Sequence, residues 1–359
     1  MYTMTLEINQ KCNLNCKYCY LGEKNGAMMS EGIALKSIDY AFDKAIQHKD
    51  KKLWFDFVGG EALLDFSMIQ TLVKYIEEKN SSFDYNLIYS VTTNATVFTE
   101  AIISFFEKYK FSLKVSIDGR KEVNDENRVA YAGYSVHDEI LKNLWMVKSY
   151  EQRTGKLVQV SNVITNNNYM HFYDTLRYLT EELGFKVIDT AIDSETVWSR
   201  SEIETINEQI EKSLQYFFEC FDAGKAFMWN YIIKLNNVNC EHKWFYKCGA
   251  GIVSTYIRTD GRIFACPGNL NDNVALGHVD TDIDPEKYRF LKNIKGIENK
   301  ECQLCELNGK CSAQSCIMQS MAKNGRHDVP DSTMCRMEKF LFDLYKRNKE
   351  RIDALHLER

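Results

Sequence analysis

Strand-like and helix-like segments alternate six times in the first part of the chain, and this alternation constrains the fold more than any other feature. Apolar or alternating segments predict strands at residues 2–8, 53–58, 87–94, 111–118, 157–165 and 185–193. Helical periodicity predicts helices that begin at Ser30-Glu31 and lie near residues 66–79, 98–109, 136–151 and 169–183. The pattern favours a mostly parallel sheet with helices outside it. Six units are too few for an eight-stranded barrel, so we predict an α/β fold with a curved, incomplete (β/α)6 barrel.

A change in composition divides the rest of the sequence. Residues 201–239 are predicted to form a helical linker, and from Cys240 the sequence is rich in glycine, asparagine and cysteine. A segment of this kind buries little apolar surface and depends on metal to fold. The stretch MEKFLFDLYKRNKERIDAL predicts a C-terminal amphipathic helix. We therefore expect a barrel domain over residues 1–200, the linker, and a loop-rich, cysteine-rich domain with this helix over residues 240–359.

Composition argues against several classes of protein. Acidic and basic residues are mixed along the chain and sum to a net charge of −5, which provides no basic surface for nucleic acid. No apolar run approaches the ~18 residues of a membrane span, and MYTMTLEINQ lacks the features of a signal peptide. We expect a cytoplasmic protein with no membrane or nucleic-acid partner. In a reducing compartment, its twelve cysteines indicate metal or redox chemistry rather than disulfides.

Polar or glycine-rich stretches follow the predicted strands. They are the Cys12–Cys19 loop, Gly59-Gly60-Glu61, Thr92–Asn94, Ser116 with Asp118, and Asn162–Asn166. Active sites in parallel α/β sheets lie beyond the carboxyl ends of the strands. The sequence therefore predicts one site at this edge of the sheet.

Three cysteines lie in the loop after the first strand, spaced Cys12-x3-Cys16-x2-Cys19. A [4Fe–4S] cluster has four irons, so three thiolates leave one iron open to a ligand that is not protein. The spacing differs from the Cys-x2-Cys-x2-Cys run of bacterial ferredoxins. A zinc loop, or three cysteines with no joint role, is the alternative interpretation.

The loop resembles the signature of the radical S-adenosylmethionine (radical SAM) enzymes. The resemblance implies that the amino and carboxylate groups of SAM chelate the open iron. One electron from the cluster would cleave SAM to methionine and a 5′-deoxyadenosyl radical, which takes a hydrogen atom from the substrate. An electron carrier with several clusters is a further alternative, although it would need no SAM-contacting strand ends.

The same resemblance implies a set of SAM contacts. GGEA (59–62) resembles the family's GGEP motif, with Ala62 in place of proline, and its alternative interpretation is an ordinary turn. Arg128 resembles an arginine that pairs with the SAM carboxylate, and its alternative is a surface salt bridge. The full set, which includes an aromatic near adenine, ribose contacts and strand-five backbone contacts, is Tyr18, Gly59, Gly60, Glu61, Asn94, Ser116, Asp118, Arg128, Val163 and Ile164.

The C-terminal cysteines resemble the SPASM extension of radical SAM enzymes, which usually holds two auxiliary [4Fe–4S] clusters. The resemblance assigns the outer cluster to Cys302, Cys305, Cys311 and Cys335, and the inner cluster to Cys248, Cys266 and Cys316. The four residues between Cys311 and Cys316 depart from the usual three. The fourth iron of the inner cluster is either ligated by Cys240 or open to substrate. Cys220 is predicted to be a structural thiol. Zinc is the alternative metal for this region.

The resemblance implies SAM, three [4Fe–4S] clusters and a peptide or protein substrate. We expect a peptide maturase that forms a thioether or carbon–carbon crosslink, supplied with electrons by flavodoxin or ferredoxin. Because the first strand begins at residue 2, we expect a separate leader-binding protein or a groove of the enzyme to replace the N-terminal recognition domain of many such maturases. An anaerobic sulfatase maturase is the alternative, although the carboxylate that follows the second SPASM cysteine there is replaced by Pro267 and Gly268 here.

Overall fold

Strands and helices alternate from residue 2 to residue 237 in the computed structural model of the chain, which describes residues 1–22, 24–240, 246–296 and 298–355. In chain order the strands are β1 (Tyr2–Asn9), β2 (Lys52–Gly59), β3 (Asn86–Thr93), β4 (Ser112–Ser116), β5 (Gln159–Ile164), β6 (Val187–Ile192), β7 (Met228–Trp229), β8 (Ser254–Ile257), β9 (Arg262–Phe264), β10 (Gly277–His278) and β11 (Asp282–Ile283). The helices are α1 (Glu31–Ala45), α2 (Phe66–Asn80), α3 (Glu100–Tyr109), α4 (Lys121–Asn127), α5 (Val136–Thr154), α6 (Phe172–Arg177), α7 (Arg200–Asp222), α8 (Asn230–Asn237), α9 (Pro285–Asn293), α10 (Lys300–Gln303), α11 (Ser312–Ser315), α12 (Ile317–Asn324) and α13 (Ser332–Asp353).

The chain forms two compact units. The first comprises Met1–Ile117, Asn124–Gln159 and Gly249–Lys292. The second comprises Asp118–Val123, Val160–Cys248 and Asn293–Arg359. The first unit therefore combines N-terminal residues with a segment more than 240 positions further along the sequence. The domain boundaries predicted after residues 200 and 239 rest on composition and stay a prediction.

Strands of the first unit form the order β11-β10-β9-β8-β1-β2-β3-β4. β1, β2, β3 and β4 pair in parallel, and β8 pairs in parallel with the other edge of β1. β8, β9, β10 and β11 pair antiparallel in succession. The α/β class with a parallel sheet is confirmed. β8 and β9 form a hairpin whose turn contains Gly261, which has a left-handed φ of 86° and donates its N–H to the carbonyl of Arg258.

Register brings the polar strand ends of this unit to one edge. Glu7 of β1 pairs with Val58 of β2, and Asn9 pairs with Gly59. Buried aromatic side chains such as Phe42, Phe55 and Phe106 lie in the core of this unit. The cysteine loop and the Gly59–Glu61 stretch therefore leave neighbouring strands at the same level.

The second unit contains β5, β6 and β7, with β6 and β7 parallel. The helix predicted over residues 169–183 is a 3-10 turn at Tyr169–His171, the α-helix α6, and a π-helical segment at Tyr178–Glu182. The region predicted as a helical linker contains two helices and a short strand between them. α7 ends before Gly224, whose φ of 70° is left-handed, and β7 and α8 follow.

α13 confirms the predicted C-terminal helix and begins earlier than expected, at Ser332, where the Asp331 side chain accepts a hydrogen bond from the N–H of Met334. Four further short helices occur between residues 285 and 324, where the sequence showed little periodicity. No helix within the described residues is long and apolar enough to cross a membrane.

Candidate active site

Backbone hydrogen bonds brace the three-cysteine loop within the first unit. The N–H of Asn15 donates to the carbonyl of Val129 over 2.7 Å, and the N–H of Lys17 donates to the carbonyl of Asn127 over 2.9 Å. Leu14 forms an antiparallel bridge with Ala130. The loop therefore has a backbone partner on both sides of Cys16, independent of any metal.

All three loop thiols are half-buried. Burial raises the pKa of the Cys12 thiol, although the N–H of Leu14 donates to its Sγ over 3.4 Å. Thiolate is the form that binds iron, and coordination deprotonates a thiol that burial would keep neutral. Three thiols on a braced loop fit a cluster with one open iron.

Gly59 and Gly60 lie against the backbone that leads into the loop. A Cβ added to Gly59 would lie 2.5 Å from the carbonyl oxygen of Asn9, and one added to Gly60 would lie 2.4 Å from that of Lys11. The N–H of Glu61 also donates to the carbonyl of Lys11 over 2.8 Å. The glycines thus permit close packing of two strand ends, and their contact with SAM stays a prediction.

Glu61 is buried and its carboxylate has three protein donors. They are the N–H of Leu63 at 3.0 Å, the hydroxyl of Thr93 at 2.8 Å and the N–H of Asn94 at 2.7 Å. Burial raises the pKa of this carboxyl group. The side chain of Glu61 therefore fastens the end of β3 to the GGE stretch, which leaves the backbone of this stretch as the candidate SAM contact.

The side chain of Asn94, which follows β3, contacts the cysteine loop. Its side-chain amide donates to the Oδ1 of Asn13 over 2.8 Å and lies 4.0 Å from the Sγ of Cys12. Thr96 accepts a hydrogen bond from the amide of Asn13 over 2.8 Å and donates to the Oδ1 of Asn94 over 2.7 Å. This amide network joins the third strand end to the loop.

Arg128 and Tyr18 lie together in the first unit. The guanidinium carbon of Arg128 is 5.5 Å from the centre of the Tyr18 ring, and Arg128 is only 5% exposed. The positive charge of Arg128 opposes the burial effect that raises the pKa of Glu61. A buried arginine beside the loop does not fit the surface salt bridge considered as its alternative, and it suits the recognition of a carboxylate.

The remaining residues that are predicted to contact SAM lie in two different units. Ser116 ends β4 in the first unit and is half-buried. In the second unit Asp118 is fully buried and accepts a hydrogen bond from the N–H of Val163 over 3.0 Å. The carbonyl of Ile164 accepts from the N–H of Asp193 over 2.8 Å. Asp118 thus fixes the backbone at Val163, one of the two residues expected to contact the base.

The four cysteines assigned to the outer cluster line one small, open pocket in the second unit. They are Cys302, Cys305, Cys311 and Cys335. Burial raises the pKa of Cys311 to about 12 and raises those of Cys302 and Cys335. Four convergent thiols around a small space fit a cluster ligated entirely by protein.

The side chains of this pocket also bear on the zinc alternative. Within the described residues, no group of three or more His, Cys, Asp or Glu side chains is arranged to hold a single metal ion. Zinc draws its thiolates to ~2.3 Å from one centre, whereas a cluster spreads them over separate irons. Zinc stays the alternative metal for this pocket.

The inner-cluster cysteines are divided between the units. Cys248 and Cys316 lie near each other in the second unit, where the pKa of Cys316 is raised mainly by burial and also by Cys248. Cys266 follows β9 in the first unit. The thiol of Cys240 lies 3.6 Å from the carbonyl of Asn236 at the end of α8. The five residues between Cys240 and Tyr246 lie outside the described residues.

Cys220, predicted to be a structural thiol, lies on α7 in the second unit. Its half-buried thiol is beside the Tyr216 hydroxyl.

Sequence reasoning missed a buried polar cluster in the first unit. Glu7 of β1 is fully buried, and its carboxylate accepts a hydrogen bond from the hydroxyl of Tyr256 over 2.5 Å. Glu7 is the one acidic residue in the apolar strand YTMTLEIN, and this was the available sequence signal.

The chain is similar in sequence to a known protein family and to several known proteins. The chain matches the family of 4Fe-4S single cluster domains over residues 5–140. It is 27% identical over 288 residues to an uncharacterized protein of Methanocaldococcus jannaschii, covering 76% of this chain and 90% of that protein. It is 22% identical to the radical SAM cyclopropyl synthase TigE of Paramaledivibacter caminithermalis, covering 94% and 72%. It is 20% identical to the cysteine-type anaerobic sulfatase-maturating enzyme of Clostridium novyi, covering 93% and 92%.

Solved structures show the same fold. The chain matches native anSMEcpe with bound AdoMet at a TM-score of 0.80 and 18% identity, covering 98% of this chain and 99% of that one. It matches Streptococcus suis SuiB bound to precursor peptide SuiA at a TM-score of 0.66 and 17% identity, covering 93% and 75%. Together with the cysteine loop, the sequence similarities bear out the resemblance to radical SAM enzymes, and the solved structures show the fold.

Proposed function

We propose that this enzyme is a peptide maturase that abstracts hydrogen from a ribosomally made peptide and forms a thioether or carbon–carbon crosslink. The observation that carries the proposal is the braced three-cysteine loop, which lies beside Gly59–Glu61 and the buried Arg128. Support for a peptide substrate comes from SuiB, which was solved with a precursor peptide. TigE supports bond formation at carbon, since it is a cyclopropyl synthase.

Residues of the first unit would bind the cofactors. Cys12, Cys16 and Cys19 would hold a [4Fe–4S] cluster, which supplies one-electron cleavage of SAM when bound. Arg128 would pair with the SAM carboxylate. The backbone of Gly59–Glu61 would accept hydrogen bonds from the amino group of SAM. The other expected SAM contacts in the first unit are Tyr18, Asn94 and Ser116. In the second unit, the expected contacts to ribose and adenine are Asp118, Val163 and Ile164.

The C-terminal cysteines would hold two auxiliary clusters. Cys302, Cys305, Cys311 and Cys335 would ligate the outer one, which their shared pocket supports. Cys248, Cys266 and Cys316 would ligate the inner one, with Cys240 as the fourth ligand or an iron left open to substrate. These clusters would accept the electron that bond formation releases.

The expected partners complete the proposal. A flavodoxin or ferredoxin in the cytoplasm would supply the electron for SAM cleavage. A separate leader-binding protein or a groove of the enzyme would recognise the precursor peptide. Neither nucleic acid nor a membrane has a part in this function.

A second candidate is an anaerobic sulfatase maturase that forms formylglycine from Cys or Ser. The extent of the structural match to anSMEcpe favours it, because the match spans almost all of both chains. The Cys266-Pro267-Gly268 sequence opposes it, since no carboxylate follows the cysteine.

Mass spectrometry of two peptides separates the candidates. Anaerobically reconstituted enzyme is given SAM, dithionite and either the peptide of a small cysteine-rich gene beside this one or a cysteine-bearing sulfatase peptide. We expect 5′-deoxyadenosine and loss of two hydrogens from the first peptide. An aldehyde on the second peptide would favour the sulfatase maturase, and the absence of 5′-deoxyadenosine in both reactions would overturn both candidates.

A further inference from the structure

A small pocket lies in the first unit, beside the beginning of β1. Its lining residues come from β1, from the C-terminal part of α1 with the turn after it, and from residues 251–292, and they include Tyr2, Tyr40, Lys44, Asp282, Tyr288 and Lys292. The pocket volume of about 270 Å³ is close to the lower end of the range for ligand pockets. Because the cysteine loop follows the other end of β1, this pocket is separate from the candidate SAM site.

The hydroxyl group of Tyr40 lacks the partner that a buried polar group normally has. Tyr40 lines the pocket from α1 and is only 7% exposed, and its hydroxyl has no hydrogen-bond partner within the part of the chain that the structure describes. The hydroxyl of Tyr2, which also lines the pocket, bonds instead to that of Thr255 over 2.8 Å. Buried polar side-chain atoms are almost always hydrogen-bonded to protein or water. The Tyr40 hydroxyl therefore requires a partner from outside the chain.

Charged side chains give the pocket an excess of one positive charge. Lys44 pairs with Asp282 over 2.7 Å, and this bond uses one of the three donors of its ammonium group. The ammonium of Lys292 lies 5.9 Å from the centre of the Tyr288 ring and pairs with no carboxylate of the described residues. Burial and the N-terminal ammonium lower the pKa of His48, so its ring is neutral at pH 7. A ligand with one negative charge would balance this excess.

Aromatic rings form much of the pocket wall. The rings of Tyr2 and His48 lie 5.8 Å apart at an angle of 44°, and the rings of Tyr40 and Tyr288 line the same space. Aromatic side chains pack favourably against a flat ring in offset or edge-to-face arrangements. The wall therefore favours a ligand that contains an aromatic ring.

We propose that this pocket binds a small aromatic acid. The ring of the ligand lies among the tyrosine rings, a hydroxyl group on that ring bonds to the Tyr40 hydroxyl, and the carboxylate pairs with Lys44 and Lys292. Each part of the ligand thus matches one feature of the pocket: the aromatic wall, the unpartnered hydroxyl or the excess positive charge. The inference goes beyond the proposed function and does not depend on it, because the pocket and the cysteine loop lie at opposite ends of β1.

Isothermal titration calorimetry of the reconstituted enzyme tests the site with related probes. Para-hydroxybenzoate has the ring, the hydroxyl group and the single negative charge, and we expect it to bind with a Kd of about 1 mM or lower. Benzoate lacks the hydroxyl and should bind roughly threefold to tenfold more weakly. Para-hydroxybenzamide lacks the charge and should bind at least about tenfold more weakly. No binding of para-hydroxybenzoate in the millimolar range, or equally tight binding of acetate, would overturn the proposal.

Two variants of pocket residues locate the binding. Tyr40→Phe should weaken the binding of para-hydroxybenzoate about threefold to tenfold and leave the affinity for benzoate unchanged, since benzoate has no hydroxyl to bond there. Lys292→Gln should weaken the binding of both acids by about tenfold, because it removes a charge-assisted contact. Wild-type affinity for para-hydroxybenzoate in both variants would show that the acid binds elsewhere, and this result would overturn the proposal.

Matched control variants lie outside the pocket. Tyr150→Phe removes a fully buried hydroxyl of the same unit, one that donates to the carbonyl of Phe111. Lys36→Gln removes another lysine of α1, one that pairs with Asp280. Both controls should bind para-hydroxybenzoate with wild-type affinity. A loss in the controls as large as that in the pocket variants would attribute the effect to general damage and overturn the assignment.

The melting temperature of the ligand-free enzyme tests the unpartnered hydroxyl by itself. Tyr40→Phe removes a buried polar group that makes no hydrogen bond, so this variant should melt at the wild-type temperature or slightly above it. Tyr150→Phe loses its bond to Phe111 and should melt at a lower temperature. An equal decrease in the two variants would show that the Tyr40 hydroxyl has a partner within the chain, and would overturn the proposal. None of these measurements uses SAM or a peptide, so their outcome leaves the proposed function unaffected.

Discussion

The two cysteine-rich regions of this enzyme are supported in different ways. Backbone hydrogen bonds from Asn15 and Lys17 hold the N-terminal loop against residues 127–130. The C-terminal pocket is formed instead by short helices and turns. Cys302 lies within the four-residue α10, and Cys305 follows that helix. The scaffold thus shapes the first region before metal binds, whereas we expect metal to supply much of the stability of the second.

Cys16→Ala should have the largest effect on activity and a small effect on the fold. The loop cluster loses one of three protein ligands, so 5′-deoxyadenosine formation should fall below detection. The hydrogen bonds of Asn15 and Lys17 do not involve the Cys16 side chain, so circular dichroism and the melting temperature should change little. Cys220→Ala, which removes a half-buried thiol of α7, is the control and should retain SAM cleavage. A Cys16→Ala enzyme that cleaves SAM normally would break the comparison.

Cys311→Ala should have a larger effect on local structure than on SAM cleavage. Iron analysis should fall from about twelve to about eight atoms per chain, because one of three four-iron clusters is lost. Limited proteolysis should cut residues 300–335 faster, while substrate-independent SAM cleavage persists. Cys16→Ala is the matched control, since it should lose the loop cluster without exposing this region. Wild-type iron content with tightly bound zinc would contradict the auxiliary-cluster assignment.

Gly60→Ala should destabilise the first unit because the new methyl group would lie 2.4 Å from the carbonyl oxygen of Lys11. Overpacking of this kind costs about 1–3 kcal/mol in the free energy of unfolding. Gly32→Ala is the control, because a Cβ there meets nothing within 4 Å and lies in α1. We expect it to be neutral or stabilising by up to ~1 kcal/mol. Equal denaturant midpoints for the two variants would show that the strand ends are not closely packed.

Thr93→Val should have the smallest of these effects. It removes the hydroxyl that donates to Glu61 and accepts from the N–H of Ala95. Loss of such a bond costs about 1 kcal/mol in the free energy of unfolding. Thr71→Val, on an exposed position of α2, should change that free energy by no more than ~0.5 kcal/mol. If the two variants were equally stable, the fastening of β3 through Glu61 would be unimportant.

The sequence was sufficient to predict the parallel α/β class and the edge at which the polar residues meet. Local periodicity determines strands such as β1 and β2, and parallel strands place their carboxyl ends together. Cysteine spacing then identified the loop. These features depend on residues near one another in sequence, which is why pattern reasoning detects them.

Features that depend on distant residues could not be predicted. The four residues of β8 carry no signal that selects β1 as their partner, although 251 positions separate Thr3 from Ser254 in that pairing. The Glu7–Tyr256 bond depends on this pairing. The close approach of Gly60 to Lys11 could likewise not be predicted, because the pattern shows a glycine and not the neighbour beside it.

The pairing of β1 with β8 also has a consequence during synthesis on the ribosome. Chains are made from the N-terminus at about 5–20 residues per second, so β1 emerges many seconds before its second neighbour exists. During that interval one edge of β1 offers unpaired backbone groups to other nascent chains. The Tyr256 partner of Glu7 is also missing until that time. The enzyme should therefore acquire its complete first unit only late in translation, and slower synthesis would prolong its exposure to aggregation.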